Sequence, residues 1–257
     1  MSIIGIGAGN PDYITVQAIK ALNETDVFFV VTKASEKQDL VDLRMEILER
    51  YVEPGRDYRT VALPDPERDR RADAYRSAVE AWRSARADLY ESAIRDHLAD
   101  GERGAFLAWG DPSLYDSTLG ALDEVRARDG VQFECEVVPG ISAPSALAAQ
   151  HRIGLNRVGR AFEITTGRRL EQGMPAEADD VVVMLDARGS FRQVSDEDVD
   201  IYWGAYIGTE DEILVSGRLR DVADEIDAIR REAKERKGWL FDTYLLRRRL
   251  PAEDGSG

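Results

Sequence analysis

Along this chain, short blocks of Val, Ile, Leu and Phe alternate with longer stretches in which apolar residues recur every three or four positions. The blocks IIGIG, VFFVV, YRTVAL, GAFLAW and VQFECEVV occupy the first half. Helical patterns separate them: one starting at Thr15, one near 38–51, one along RRADAYRSAVEAWRSARADLYESAIRDHL, and one marked by Leu119, Leu122 and Val125. This alternation predicts a mostly parallel five-stranded sheet with crossover helices. On the long third helix, Tyr75, Val79, Trp82 and Leu89 form a stripe that predicts core or subunit contact. After the helical stretch SAPSALAAQHRI, a second set of blocks follows with shorter, less uniform connections: AFEITTG, DVVVMLD, DIYWGAYIG, EILVSG and GWLFDTYLLRR. The expected fold class is α/β with two α/β domains, an N-terminal one over 1–153 and a C-terminal one with a mixed sheet over 154–250. The polar run 251–257 reads as a flexible tail.

Composition narrows the chemistry. With 257 residues and 43% hydrophobic content there is enough apolar material for two ordinary cores. The first residues enter a strand at once and no apolar run approaches the ~20 residues of a bilayer span, so the sequence reads as cytoplasmic with no membrane partner. A single cysteine, Cys135, excludes an internal disulfide and reads as a small buried side chain. Two histidines, His97 and His151, offer little from which to build a transition-metal site, and no metal is expected. The net charge of −15 argues against nucleic acid, whose phosphates need clustered Lys and Arg. The arginine runs RDRR (68–71) and LLRRR (245–249) read as solvated faces, whereas Arg168 and Arg169, which follow a strand and the turn Thr165-Thr166-Gly167, are candidates for binding.

The opening glycines, Gly5, Gly7 and Gly9, invite comparison with a dinucleotide fingerprint, but the spacing is G-x-G-x-G. Pro11 pushes Asn10 toward extended backbone, and the first good helix cap, Thr15, comes six residues after Gly9. A helix N-terminus that distant does not receive a pyrophosphate. The second strand also ends in Thr32-Lys33, where a ribose-binding acid belongs, so NAD and FAD become poor candidates.

Two further loops fall at the ends of predicted strands, WGDPSLYD and VVPGISA, each with Gly and Pro to fix a turn. Together with GIGAGNPD they gather at the sheet edge where open parallel sheets bind ligands. The trio resembles the tetrapyrrole (corrin/porphyrin) methylase family, marked by a proline-bearing glycine loop, a G-D-P-x-x-Y turn and a V-P-G-[IV]-S turn. The resemblance implies transfer of a methyl group from S-adenosylmethionine (SAM) in a cleft between two α/β domains, without a metal, by a homodimer. It would place Ala8, Gly110, Asp111, Leu114, Ser142 and Ala143 around SAM, with Met184, Gly208 and Leu219 from the second half. The stretches PDPERDRRADAYRSAVEAW, ITTGRRL and DIYWGAYIGTEDEILVSGRL are similar to one subgroup that acts on precorrin-5. That likeness implies methylation at carbon 1 of the macrocycle with loss of the acetyl group there as acetate.

Two positions depart from the usual loop, Ala8 in place of proline and Asn10 in place of aspartate. An asparagine only donates and accepts hydrogen bonds, so any acid of the first loop must be Asp12. In-line transfer from a sulfonium depends chiefly on orientation, worth ~7–11 kcal/mol. Deacetylation needs water activation, where a placed acid or base contributes about 10²–10⁴ in rate. The catalytic candidates are Asp12, Asp111 and Tyr115; Asp116 equally suits a helix cap, and His151 a structural role. The acetate and propionate arms of a precorrin call for forked cations, for which Arg168 and Arg169, then Lys33 and Arg44, are the candidates. Three alternatives stay open: methylation of another acceptor such as RNA or protein, a SAM- or tetrapyrrole-binding protein without turnover, and a reductase.

Overall fold

The computed structural model describes residues 1–32, 38–67, 75–195 and 198–249. It divides into two compact units, Met1–Ser142 and the residues from Ala143 onward.

The first unit contains β1 (Ser2–Gly5), α1 (Val16–Asn23), β2 (Val27–Thr32), α2 (Gln38–Tyr51), β3 (Arg59–Pro64), α3 (Tyr75–His97), β4 (Gly104–Ala108), α4 (Thr118–Arg126) and β5 (Glu136–Val138). All its strand pairs are parallel, in the order β3-β2-β4-β1-β5. The inner strands β1, β2 and β4 are apolar at nearly every position because both faces are covered, whereas the edge strands β3 and β5 are largely exposed. Ile4, Phe28 and Leu107 pack with Leu22, Ile47 and Leu48 of α1 and α2, while Ile3, Phe29 and Phe106 pack with Tyr90, Ile94 and Leu122 of α3 and α4. Thr15 caps α1 as its sequence suggests, its Oγ1 accepting from the Ala18 N–H at 3.0 Å.

Two details differ from the sequence reading. Only Glu136–Val138 of VQFECEVV joins the sheet, and Cys135 is half-buried just ahead of it. On α3 the deepest residues are Ala87, Tyr90, Ala93 and Ile94; Trp82 and Leu89 flank them, half-buried. The alanines let the helix come close enough for the Tyr90 ring to sit 4.4 Å from Phe106, so small residues, invisible to an aromatic stripe, define the buried face.

The second unit contains α5 (Ala143–His151), β6 (Phe162–Thr166), α6 (Gly167–Leu170), β7 (Asp180–Met184), β8 (Val199–Ala205), β9 (Ile213–Arg218), α7 (Leu219–Lys237) and β10 (Asp242–Arg248). Its sheet is mixed, β6-β7-β10-β8-β9, with β6 and β7 parallel and the other pairs antiparallel. α5 packs on β8, β9 and β10 and so groups with this sheet, ahead of the 153/154 boundary suggested by loop composition.

Buried charges lock the second unit. Arg230 pairs with Asp242, both nearly inaccessible, and Asp242 also accepts from Trp203 Nε1 at 2.9 Å. Asp180, fully buried, is held by Arg247 at 2.6 Å and Arg157 at 3.2 Å. The LLRRR run is therefore no solvated face. Arg247 also reaches Gly154 O at 2.8 Å, and Arg248 donates to the carbonyls of Pro175 and Ala178. The run RDRR lies outside the described residues.

Candidate functional site

In the first unit, the three glycine loops are bound into one structure at the C-terminal edge of β4, β1 and β5. Gly7 and Gly110 exchange backbone hydrogen bonds, Gly110 N–H to Gly7 O at 2.8 Å and Gly7 N–H to Gly110 O at 3.2 Å. A Cβ on Gly5 would lie 2.6 Å from Gly140 N, and one on Gly140 would overlap the Gly110 carbonyl oxygen, so backbone meets backbone with no room for a side chain. Gly7 and Gly110 have φ of 81° and 73°, a left-handed backbone that glycine adopts without strain.

Asp111 fastens the second loop to the third. Its Oδ1 accepts from the Ser113 N–H at 2.8 Å and from the Ser113 hydroxyl, and its Oδ2 accepts from the Gly140 N–H at 2.8 Å. Burial works to raise its pKa, but the hydrogen bonds from Ser113 and Gly140 outweigh it and hold the carboxyl below the usual range. An ionised, hydrogen-bonded carboxylate is a poor base and a good brace. Asp116 Oδ1 accepts from the Thr118 N–H at 2.7 Å, at the start of α4.

In the first loop, Asn10 has the extended backbone expected before Pro11, and its Oδ1 accepts from the Asp12 N–H at 2.8 Å. It caps the single 3₁₀ turn Pro11–Tyr13, a role aspartate would fill equally. Asp12 is exposed, ion-paired with Arg50 at 2.7 Å and hydrogen-bonded by the Tyr51 hydroxyl at 3.0 Å. Burial and the bond to Asp12 raise the Tyr51 pKa, which keeps that donor proton in place. Tyr115 is 47% exposed and sits at φ 53°, a strained backbone for a bulky residue.

Of the residues the resemblance assigns to SAM in the first unit, Ala8 is buried under the first loop, while Leu114 and Ser142 are half-buried. Ala143 opens α5, whose next residue, Pro144, suits the first turn of a helix. In the second unit, Met184 is the half-buried last residue of β7. It precedes Leu185, which is 61% exposed at φ 54°. Gly208 has φ 80°, and its N–H donates to Glu212 Oε2 at 2.7 Å. Leu219 is buried at the start of α7.

Asp186, absent from the sequence reading, fixes the turn after β7. It accepts from the N–H groups of Arg188, Gly189 and Ser190, from the Ser190 hydroxyl, and from the Tyr244 hydroxyl at 2.7 Å. Burial and Asp186 push the Tyr244 pKa far upward, so that proton stays on the phenol. A Cβ on Gly167 would meet Asp186 Cβ at 2.6 Å, which explains glycine at the start of α6. In sequence, Asp186 looks like an ordinary charged strand end.

The cationic candidates fall in both units. Arg168 and Arg169 are exposed on the short helix α6 and not on an open loop, and Arg169 bonds Gln172. Lys33 lies outside the described residues. Arg44 reaches from α2 to the end of β4, its Nε donating to Leu107 O at 3.1 Å and its Nη1 to Leu40 O at 2.7 Å. His151 donates from Nε2 to Trp203 O at 3.0 Å, because a carbonyl only accepts, and burial lowers its pKa.

A cavity of about 230 Å³ opens beside Ala187, Arg230 and Lys234. Another, of about 710 Å³, is lined by Met1, Leu98, Phe133 and Cys135. The second opens at the N-terminal ends of β1 and β4, opposite the glycine loops, so its size does not make it the site.

The model of the Tetrapyrrole (Corrin/Porphyrin) Methylases matches residues 1–223. A "Precorrin-6A synthase [deacetylating]" of Sinorhizobium sp is 47% identical over 246 residues, covering 96% of this chain and 94% of the relative. Among solved structures, a cobalamin synthesis related protein (CobF) from Corynebacterium diphtheriae superposes with a TM-score of 0.81 at 35% identity, covering 96% of this chain and 97% of the other. A uroporphyrin-III C-methyltransferase from Thermus thermophilus complexed with S-adenyl homocysteine shares the fold, at TM-score 0.55 and 18% identity over 95% of each chain.

Proposed function

The chain belongs to the tetrapyrrole (corrin/porphyrin) methylase family, and from that premise we propose that it catalyses the reaction of a deacetylating precorrin-6A synthase. It takes precorrin-5 and SAM, methylates carbon 1 of the macrocycle, and releases the acetyl group as acetate. The observation that carries this reading is the 47% identity to such an enzyme over 96% of the chain. The expected homodimeric state and cytoplasmic location belong to the same proposal.

The first unit's edge fits SAM in one testable respect. The three turns are tied to one another, and their close approaches at Gly5, Gly110 and Gly140 are backbone against backbone. SAM supplies a methyl group already activated as a sulfonium. The protein's task in that step is to hold carbon, methyl and sulfur in line, so rigidity matters more than a base. Asp111 supports this as a positioning residue, keeping the second and third loops in register. Met184, Gly208 and Leu219 are the second unit's share of the proposed SAM contacts, and Arg168 and Arg169 are proposed to meet carboxylate arms.

For acetate release, Asp12, Asp111 and Tyr115 are the proposed candidates; Tyr115 is the one with an exposed side chain on the G-D-P-x-x-Y turn, and its hydroxyl is the group the test below addresses. The test is a pair of incubations of the purified protein with precorrin-5, with and without SAM, followed by pigment mass and released acetate. Methyl gain with acetate only in the presence of SAM is the expected result. SAM binding with unchanged pigment would leave the family and overturn the substrate. In Tyr115→Phe, methyl transfer that outpaces acetate release would assign the hydroxyl to the second step.

A further inference from the structure

The first unit's sheet parts between β2 and β4. Their pairing runs from Val27 opposite Gly104 to Phe29 opposite Phe106 and stops there, although β2 continues to Thr32 and β4 to Ala108. Ala108 O faces β1, where it accepts from the Ile6 N–H at 3.0 Å, so Leu107 O faces the gap. Arg44 fills that side by donating to Leu107 O. No carboxylate lies within ion-pair distance of Arg44 among the described residues.

From α3, Arg86 and Tyr90 come near enough to Arg44 to act on its charge, Tyr90 packing on Phe106 next to the Leu107 carbonyl that Arg44 holds. Arg86 is already held, by Asp65 at 2.7 Å and by the Ser117 hydroxyl, and it lies over the Trp82 ring at 4.7 Å. Tyr90 is fully buried and its hydroxyl has no partner at full hydrogen-bond geometry, although the Thr118 hydroxyl is close enough to act on its oxygen as a donor. A buried phenol left without an acceptor is unfavourable against a phenylalanine of the same shape, so its presence calls for one. Burial raises the Tyr90 pKa to about 12, and the hydroxyl is a donor at neutral pH. Burial lowers the Arg44 pKa, opposed by Asp116, yet a guanidinium stays charged. Among the described residues, the charged groups facing this gap are thus Arg44, Arg86, Asp65 and Asp116, of which Arg44 is the cation without an ion-pair partner.

We propose that the gap between β2 and β4 is a carboxylate subsite, in which Arg44 and the Tyr90 hydroxyl hold one acetate or propionate arm of the macrocycle. It rests on the tetrapyrrole reading above and adds where, in the first unit, an arm is recognised. Forked N–H donors beside a phenol suit a two-oxygen acceptor, and the C-terminal edge of a parallel sheet is where ligands approach.

The direct probe is uroporphyrin III, a stable tetrapyrrole with acetate and propionate arms, titrated into the full-length protein by fluorescence. Arg44→Lys and Tyr90→Phe should each weaken its binding about tenfold, the scale of one charge-assisted hydrogen bond. Tyr90→Phe should keep or raise the thermal midpoint and leave S-adenosylhomocysteine affinity unchanged, which a purely structural tyrosine bonded in the core would not do. Arg126→Met, which removes an exposed charge on α4, should bind like wild type. The subsite is overturned if wild type does not bind the probe, if both variants bind like wild type, or if Arg126→Met weakens binding equally. Turnover of precorrin-5 is read separately, so failure of the proposed reaction and failure of the subsite are distinguishable.

Discussion

Replacing Asp111 by alanine tests whether the three loops act as one. The substitution removes the acceptor of two Ser113 bonds and of the Gly140 N–H at 2.8 Å. Ser113 is exposed and its groups return to water at little cost, so the Gly140 bond dominates the loss. A hydrogen bond to a charged acceptor contributes ~1.5–3 kcal/mol; half-burial of Gly140 puts the loss near the lower end, about 1.5–2 kcal/mol. For a unit of this size that is roughly 3–8 °C in thermal midpoint. Asp111→Asn keeps one acceptor oxygen for two separated donors and should fall between. The assays are thermal unfolding and S-adenosylhomocysteine titration, in which both variants should bind more weakly, Ala more than Asn. The acid limb gives an independent sign. A carboxyl whose folded pKa lies below the unfolded ~3.9 stabilises above that value and loses the contribution as pH falls through the folded pKa. Asp111→Asn should therefore flatten the stability loss below about pH 4. An unchanged midpoint together with unchanged ligand affinity in the Ala variant would refute the brace.

Arg230→Met strands the buried Asp242 carboxylate and should destabilise the second unit by ~3–5 kcal/mol, whereas Arg230→Met with Asp242→Leu should recover much of it; a denaturant double-mutant cycle decides. Asp12→Ala breaks an ion pair whose side chains are 48% and 62% exposed, so unfolding should shift by less than about 1 kcal/mol, and any larger fall in acetate release is then chemical. Because burial lowers the His151 pKa, the unfolded chain binds more protons below about pH 6.5, and stability should fall with pH through that window. His151→Gln should remove that slope in pH-dependent melts.

The sequence alone determined the strand blocks, most clearly β1, β2, β4 and β7, because a strand buried on both faces must be apolar throughout and is readable without its neighbours. It also determined the three loops, since Gly and Pro constrain backbone locally, and the Thr15 cap, whose bond spans three residues. The tertiary structure decided what each polar group is for. Asp111 and Asp12 look alike as loop acids, yet one joins Gly140 across 29 positions and the other meets Arg50 on α2. Arg247 and Arg248 look like a solvated run until β10 is set beside β7, which buries Asp180 against Arg247 and brings the carbonyls of Pro175 and Ala178 to Arg248. Tyr90 looks like one more core aromatic, and only the parting of β2 from β4 gives its hydroxyl a place to act. Burial and pairing of charge depend on contacts distant in sequence, and no local pattern encodes a partner that the fold has yet to bring near.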